Sequence, residues 1–238
     1  MSSNLINALN IIQDAHRYNQ WIYSIIEPYL SGVVLDIGSG LGDIASLFVG
    51  SGVERVILSD CDESLVEKLR QRPFSLREYH VVALDISQDE VITQFKGDKV
   101  DTITCINVLE HIDDDISALR RIRDMLKPGG RVVILVPALP CLYGALDACH
   151  GHRRRYTRKT LKTIMRSVGF HIEAWRYMNI FGVFTWFLAG RVLKQKKLSR
   201  KTCYQLDKVV PLLRRVEQGV SLPWGQSLLM VGRISDRK

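Results

Sequence analysis

Val34–Asp43, V-L-D-I-G-S-G-L-G-D, decides the fold. The apolar run Val33 to Ile37 predicts a buried strand, and the alternate glycines after it, Gly38, Gly40 and Gly42, demand a tight loop. Without a Cβ these positions take positive φ and let a ligand come close to the backbone. Asp43 onward, with I-A-S-L-F-V behind it, predicts a helix whose first amides face that ligand. This is the pattern of a nucleotide-type site. A dinucleotide fingerprint requires G-x-G-x-x-G, but here the third glycine arrives one residue early and Asp43 stands in its place. Asp36, two residues before the first glycine, suits a cationic ligand and would repel a pyrophosphate.

Further strand ends repeat the theme. A strand over Arg55 to Ser59 ends in Asp60, 18 residues after Gly42. An acidic residue about 20 positions beyond a glycine loop is placed to accept hydrogen bonds from both ribose hydroxyls. Capping the helix Glu63 to Arg70 is the other reading of Asp60, although Asp62 suits that role better. A third strand, Tyr79 to Ala83, runs into L-D-I-S, where Asp85 can accept from an adenine amino group and Ile86 can pack on the ring. The fourth, Val100 to Ile106, is nearly continuous Val, Ile and Thr, as in the centre of a parallel sheet. It ends at Asn107–Ile112, N-V-L-E-H-I, and a helix ending at Lys127-Pro128-Gly129-Gly130 leads to a fifth strand, Arg131 to Val136. Strand ends at Ile37, Ser59, Ala83 and Ile106 bring these residues to one edge of the sheet, where open α/β sheets bind ligands.

Over residues 33–137, V-L-D-I-G-S-G-L-G, Asp60, L-D-I-S, N-V-L-E-H-I and L-K-P-G-G-R-V resemble the class I S-adenosylmethionine (SAM) dependent methyltransferases, whose motif I reads D-x-G-x-G-x-G. The resemblance implies an α/β fold: a Rossmann-like, seven-stranded, mostly parallel sheet with helices on both faces. It implies SAM as cofactor and S-adenosylhomocysteine as product. It places Gly38, Ser39 and Gly40, with Gly42 closing the loop, against the methionyl part and Asp36 on its amino group. Asp60 falls to the ribose, and Cys61, Asp85 and Ile86 surround the adenine. Asn107 touches the methionine portion through its backbone, and His111 lies near the departing methyl group. The leading helical stretch, residues 4–30, carries Tyr18, Trp21, Ile22, Ile25 and Ile26 on one face. Trp21 and Ile25 read as core. Tyr18 reads either as core or as the aromatic with which similar enzymes cover the cofactor.

From Pro137 the family pattern loosens. A-L-P-C-L-Y-G-A-L-D-A-C-H-G-H-R-R-R-Y-T-R-K-T-L gathers Tyr143, Asp147, His150, His152, Arg153–Arg155 and Tyr156, and resembles a bacterial subgroup carrying G-H-x-R-R-Y here. Tyr143, Asp147, His150, Arg154 and Arg155 are the candidate acceptor-binding residues. Arginine favours planar oxyanions, and a solvated charge run is the other reading. Thr157 is placed to cap a helix ending near Val168-Gly169. Methyl transfer to a hydroxyl or protonated amine needs a base, for which His is suited near neutral pH. His152 is the first candidate, His111 the second and Tyr156 the third, an orienting role being open for each. N-V-L-E-H also resembles ubiquinone-pathway O-methyltransferases that hold a divalent metal with E-x-x-E-H. Asn107 stands at the first position here, so Glu110 with His111 reads as structural and no metal is expected.

Strands over Phe170 to Tyr177 and Ser227 to Ile234 complete the sheet, with about 50 residues between them where a short connection is usual. This insert carries Phe181, Phe184, Phe187 and Leu188 at helical spacing and then Arg191 to Lys197. It reads as a helix on the core, an interface, a lid over the acceptor, or an element resting on a membrane surface, with lid or interface preferred. A single methyltransferase domain over 1–238 is expected: a helical cap (1–30), a SAM-binding core (31–137), acceptor-binding elements (138–226, the insert from about 178) and a closing strand (227–234).

Hydrophobic content of 46% and charged content of 24% are those of a globular protein. The longest largely apolar run, Met178 to Gly190, falls short of the roughly 20 residues of a spanning helix. With no signal-peptide pattern and five scattered cysteines, a cytoplasmic location is expected. Residues 1–149 hold 13 Lys and Arg against 21 Asp and Glu, net −8, whereas residues 150–238 hold 20 against 4, net +16. The basic part suits an anionic partner. The reading is methyl transfer to O or N of a small hydrophobic or anionic acceptor, such as a natural-product or lipid-linked intermediate, by a monomer or homodimer. A nucleic-acid methyltransferase is the alternative, but no N-P-P-Y or D-P-P-Y follows the fourth strand and no RNA-binding module is seen. A SAM-binding protein without catalysis is the third reading.

Overall fold

A computed structural model describes residues 15–50, 52–95, 99–195, 200–218 and 223–236. Seven strands form one sheet in the order β3-β2-β1-β4-β5-β7-β6. They are β1 (Gly32–Ile37), β2 (Val53–Asp60), β3 (Tyr79–Ala83), β4 (Val100–Ile106), β5 (Leu126–Pro137), β6 (His171–Met178) and β7 (Ser227–Arg233). β1 to β5 pair in parallel, and β7 runs antiparallel between β5 and β6. The expected Rossmann-like sheet is the observed one.

The near-continuous apolar strands follow from burial on both faces. Because side chains alternate across a strand, Leu35, Ile103, Ile134 and Met230 face one layer with Leu119 and Ile122 of α4 (Asp115–Met125) and Leu161 and Met165 of α6 (Arg158–Ser167). Val34, Val56, Leu58, Val133 and Leu229 face the other, with Trp21, Ile22 and Ile26 of α1 (His16–Ile26). Trp21 is core as expected, whereas Ile25 is only partly buried against this layer. The expected helix over residues 4–14 lies outside the described residues.

Helix starts follow their caps. Asp62 accepts from Ser64 N at 2.8 Å and opens α2 (Glu63–Gln71), so it and not Asp60 is the cap. Asp114 accepts from Ser117 N at 3.0 Å ahead of α4, and Thr157 from Thr160 N at 3.0 Å ahead of α6. α4 stops at Met125, and β5 takes in the Lys127–Gly130 stretch expected to end the helix.

The helix expected from Asp43 does not form; only a 3-10 turn, Ala45–Leu47, follows the glycine loop. Nucleating a helix is costly, and Gly50 and Gly52 leave too little chain for it. Phe48 is instead driven into the core against Tyr23, and Asp43 pairs with Arg72 at 2.6 Å.

The insert folds as α7 (Ile180–Trp186), a π-helical turn (Phe187–Val192) and α8 (Arg200–Glu217). Two carboxylates pin it. Asp207 of α8 accepts from the backbone N–H groups of Arg17 (3.3 Å) and Tyr18 (3.0 Å) at the start of α1. Buried Glu217 accepts from Asn179 (2.9 Å) and Ile180 (2.8 Å) at the start of α7. Each meets the orphan donors and positive dipole of a helix N-terminus. Phe181, Phe184, Phe187 and Leu188 are exposed, so they do not make α7 a helix packed on the core. Among the described residues no helix is long and apolar enough to cross a membrane.

Candidate functional site

A cavity of about 900 Å³ opens at the C-terminal ends of the parallel strands. The glycine loop forms part of its wall. Gly38 (φ 71°), Gly40 (φ 60°) and Gly42 (φ 78°) all lie in the left-handed region, and a Cβ on Gly38 would collide with Val108 Cγ2. Asp60 braces the loop, accepting from Gly40 N and Asp62 N at 3.0 Å each. Asp36 is buried at the head of the loop and accepts from Thr104 Oγ1 at 2.5 Å. Burial raises its pKa to about 6 against the hydrogen bonds of Thr104 and Ser39, so its charge is poorly compensated. Asn107, which follows β4 at φ 54°, reaches the cavity from the opposite side of the loop.

The segment after β5 makes a closed excursion. Leu139, at φ 61°, turns the chain out, and Ala138 bridges Tyr156 where it returns. Within it, buried Asp147 collects four donors: Gly144 N (3.0 Å), His152 Nδ1 (2.9 Å), Arg155 Nε (2.8 Å) and Trp186 Nε1 (3.0 Å). Burial pushes its pKa up, but the His152 bond and the Arg155 charge outweigh this and hold it at about 2. Arg155 also donates to Ala138 O at 2.8 Å and lies over the Trp186 ring, 5.1 Å from its centroid. The rings of His111 and His152 meet edge-on with centroids 4.9 Å apart. Burial, then the neighbouring His152, lowers His111 to about 4. Glu110 is wholly buried beside them, its Oε1 4.0 Å from His152 Nε2, and burial raises it to about 8.

The structure brings Tyr18, Asp36, Gly38, Ser39, Gly40, Asn107, His111, His150, His152 and Arg155 to one cavity. The others sit apart. Asp60, Cys61, Asp85 and Ile86 lie along the β2 and β3 ends beyond its wall, with Cys61 and Asp85 exposed. Gly42 packs toward Phe74 and Leu69. Tyr143 turns its hydroxyl onto His152 O at 2.8 Å, and Asp147 acts through His152 and Arg155 without lining the cavity.

Two expectations are corrected. Tyr156 is buried with its hydroxyl donating to Asp115 at 2.8 Å, and burial raises its pKa, so it is no base for a ligand in the cavity. Arg154 turns the same way, 3.0 Å from Asp115, and donates to Asp113 O at 2.7 Å; its oxyanion is internal. Sequence reasoning missed Trp186, Asn179 and the α8 residues Val209, Leu213 and Val216 that line the outer part. The amphipathic spacing of α8 was the available signal for the last three.

Residues 13–174 match the family model described as a methyltransferase domain. The chain belongs to that family. A ubiquinone/menaquinone biosynthesis C-methyltransferase UbiE from Proteus mirabilis is 33% identical over 115 residues, 46% of this chain and 44% of the relative. The Escherichia coli protein of that name is 29% identical over 178 residues, 62% of this chain and 68% of the relative. This chain thus spans less than half the length of the Proteus relative. A SAM dependent methyltransferase from Archaeoglobus fulgidus shares the fold, with TM-score 0.58 and 20% identity over 90% of this chain and 94% of that one. SAM is the cofactor of this family and fold. The site fits it: the under-compensated carboxylate of Asp36 suits a cationic ligand, and a Cβ at Gly38 would disrupt the loop beside it.

Proposed function

We propose that this protein transfers a methyl group from SAM to an O or N nucleophile of a small, hydrophobic or anionic acceptor. When bound, SAM supplies a methyl group already activated on a sulfonium, so the chain has mainly to align it and exclude water. In this reading Asp36 holds the amino group, and Gly38, Ser39, Gly40 and Asn107 pack the methionyl part. Gly42 holds the loop's conformation. Asp60 takes the ribose, and Cys61, Asp85 and Ile86 take the adenine. Tyr18 closes over the cofactor from α1.

One observation carries the acceptor's character. The cavity that holds the glycine loop, Asp36 and Asn107 is also lined by His111 and His152 and by Phe181, Phe184, Val209 and Leu213 of α7 and α8. A polar inner wall continuous with an apolar outer one fits an acceptor with one reactive polar group and a greasy body. His150 and Arg155 border its polar end, with Asp147 holding Arg155 and His152 and Tyr143 bonding the His152 carbonyl. His152 is the base. Asp147 fixes its Nδ1 as the protonated nitrogen, leaving the Nε2 lone pair to take the acceptor's proton. His111 stands beside it as an orienting partner. We assign the G-H-x-R-R-Y segment to this acceptor end, and the chain to a cap (1–30), a cofactor core (31–137), acceptor elements (138–226) and a closing strand (227–234).

The test is incubation with methyl-labelled SAM and separate pools of prenylated phenols, lipid-linked sugars and bulk tRNA. Label in an organic-extractable product, lost in His152→Ala with SAM binding retained, supports the reading. Label in tRNA overturns it in favour of the basic C-terminal part. The carbon chemical shift of the new methyl group separates O and N acceptors from the carbon acceptors named for the UbiE relatives.

A further inference from the structure

We propose that Glu110, His111 and His152 form a binding site for a divalent first-row transition-metal ion in the cavity wall. One ligand atom from each lies within 4.8 Å of those of the other two. This reverses the expectation of no metal. Glu110 and His111 were short of a third ligand in their own segment, and the fold supplies His152 from the excursion after β5.

The carboxylate of Glu110 is the first argument. It is wholly buried, and neither oxygen has a hydrogen-bond partner among the described residues. Buried polar groups are nearly always satisfied, and leaving a carboxyl group orphaned is costly. The nearby Arg155 helps it only through its charge and makes no hydrogen bond to it, spending its Nε on Asp147 and its Nη1 on Ala138 O. A metal ion is a partner that both the place and the charge would accept.

The second argument is the orientation of the histidines. A metal-binding imidazole usually donates its other ring N–H to a carboxylate or a backbone carbonyl. His152 does so through Nδ1 to Asp147 (2.9 Å) and His111 through Nδ1 to Gly151 O (3.3 Å). Both Nε2 atoms then keep their lone pairs. The halves of the site are also tied together, since Arg153 N donates to Glu110 O at 2.8 Å. Closing the three donors around an ion at about 2.1 Å requires side-chain shifts of about an ångström.

Two imidazoles and one carboxylate suit zinc, iron, cobalt or manganese better than magnesium or calcium. Three protein ligands leave positions open, and His111 and His152 line the cavity. The open positions therefore take an oxygen of the acceptor. That last step rests on the methyltransferase reading, whereas binding of the ion does not. With an ion held there, Nε2 of His152 would be a ligand and not the base; the ion would supply the lowering of the acceptor hydroxyl's pKa, and the proton would leave to solvent.

The experiment is titration of chelator-stripped protein with Co²⁺, followed by its visible d–d absorption, with Zn²⁺ as competitor. We expect one equivalent bound, displaced by Zn²⁺, with affinity at least about 100-fold weaker in Glu110→Gln and His152→Ala and about 10- to 100-fold weaker in Asp147→Asn. Glu110→Gln is nearly isosteric and adds no buried charge, so it should fold, which circular dichroism checks. No saturable band, or equal binding by the Glu110→Gln and His152→Ala proteins, overturns the proposal. Sulfur-to-cobalt charge-transfer bands that survive in those variants would assign the ion to a cysteine and overturn it equally. SAM titration of the stripped protein tests the methyltransferase reading separately.

Discussion

SAM affinity should fall in mildly acidic solution, and Asp36 should be the cause. Its carboxyl is fully buried and titrates at about 6, chiefly because burial disfavours the charge. A cationic amino group beside it favours the carboxylate, so below about pH 6 binding must first expel a proton from Asp36. Affinity is then full above about pH 7 and falls toward tenfold per pH unit below the pKa, giving a loss of about tenfold at about pH 5. For the free protein the sign is opposite. A folded pKa raised above the unfolded value of 3.8 contributes stability that is present at low pH and lost as pH rises through about 6. The rise from 3.8 to about 6 bounds that contribution at about 3 kcal/mol. Acid should therefore weaken SAM binding while this group stabilises the unliganded fold. Calorimetric titration from about pH 5 to about pH 7.5, with Asp36→Asn alongside, reads both the slope and its origin. The variant should lack the slope and bind at all pH values as weakly as the protonated wild type. A flat wild-type profile, or a slope that survives in Asp36→Asn, refutes the reasoning.

Asp147→Asn leaves Arg155 buried without its carboxylate, which should cost about 3–5 kcal/mol and lower Tm by roughly 8–15 °C in a domain of this size; a drop under about 2 °C in a thermal melt counts against the hub. Gly38→Ala should weaken SAM binding by more than about tenfold through its left-handed φ and the collision with Val108. Adding Val108→Ala should recover part of that loss in the same titration. Tyr156→Phe deletes the hydroxyl held by Asp115, and should cost about 1–2 kcal/mol in denaturant melts with methyl transfer unchanged; lost turnover in a folded variant would restore Tyr156 as a base candidate.

The fold and the glycine loop were legible in the sequence because their determinants are local. A strand, a glycine loop and an acidic residue at each following strand end need only the α/β rule to share an edge. The acceptor end was half legible. Asp147, His150, His152 and the arginines stood out, but as a single cluster, whereas the contacts of Arg154, Arg155 and Tyr156 alternate and divide it. Arg154 and Tyr156 fall on one face, where Asp115 takes both, and Arg155 falls on the other, where Asp147 takes it. Reading R-R-R-Y as a strand-like stretch would have separated them. The helix after the glycine loop failed because a buried Phe48 and two nearby glycines outweighed propensity. Trp186 was out of reach, since only the packing of the insert against the excursion brings its indole to Asp147.

The charge asymmetry takes on a different meaning once the carboxylates are located. The acidic first part does more than bear surface charge. Asp36, Asp60 and Glu110 sit at or near the strand ends with burial raising each pKa, and of these three Asp36 lines the cavity, where it favours a cation. Of the four acidic residues after position 149, Asp207 and Glu217 are used up on helix N-termini, so the insert offers almost no free anion and a surplus of Lys and Arg around exposed Phe181, Phe184 and Leu212. The two walls thus select opposite things. The inner one sets the poorly compensated carboxyl of Asp36 against the cavity, where a cationic group is favoured. The outer one presents the exposed side chains of Phe181, Phe184 and Leu212. In the proposed function, an acceptor that met both walls would be elongated, greasy over most of its length, and reactive at the end that reaches His152.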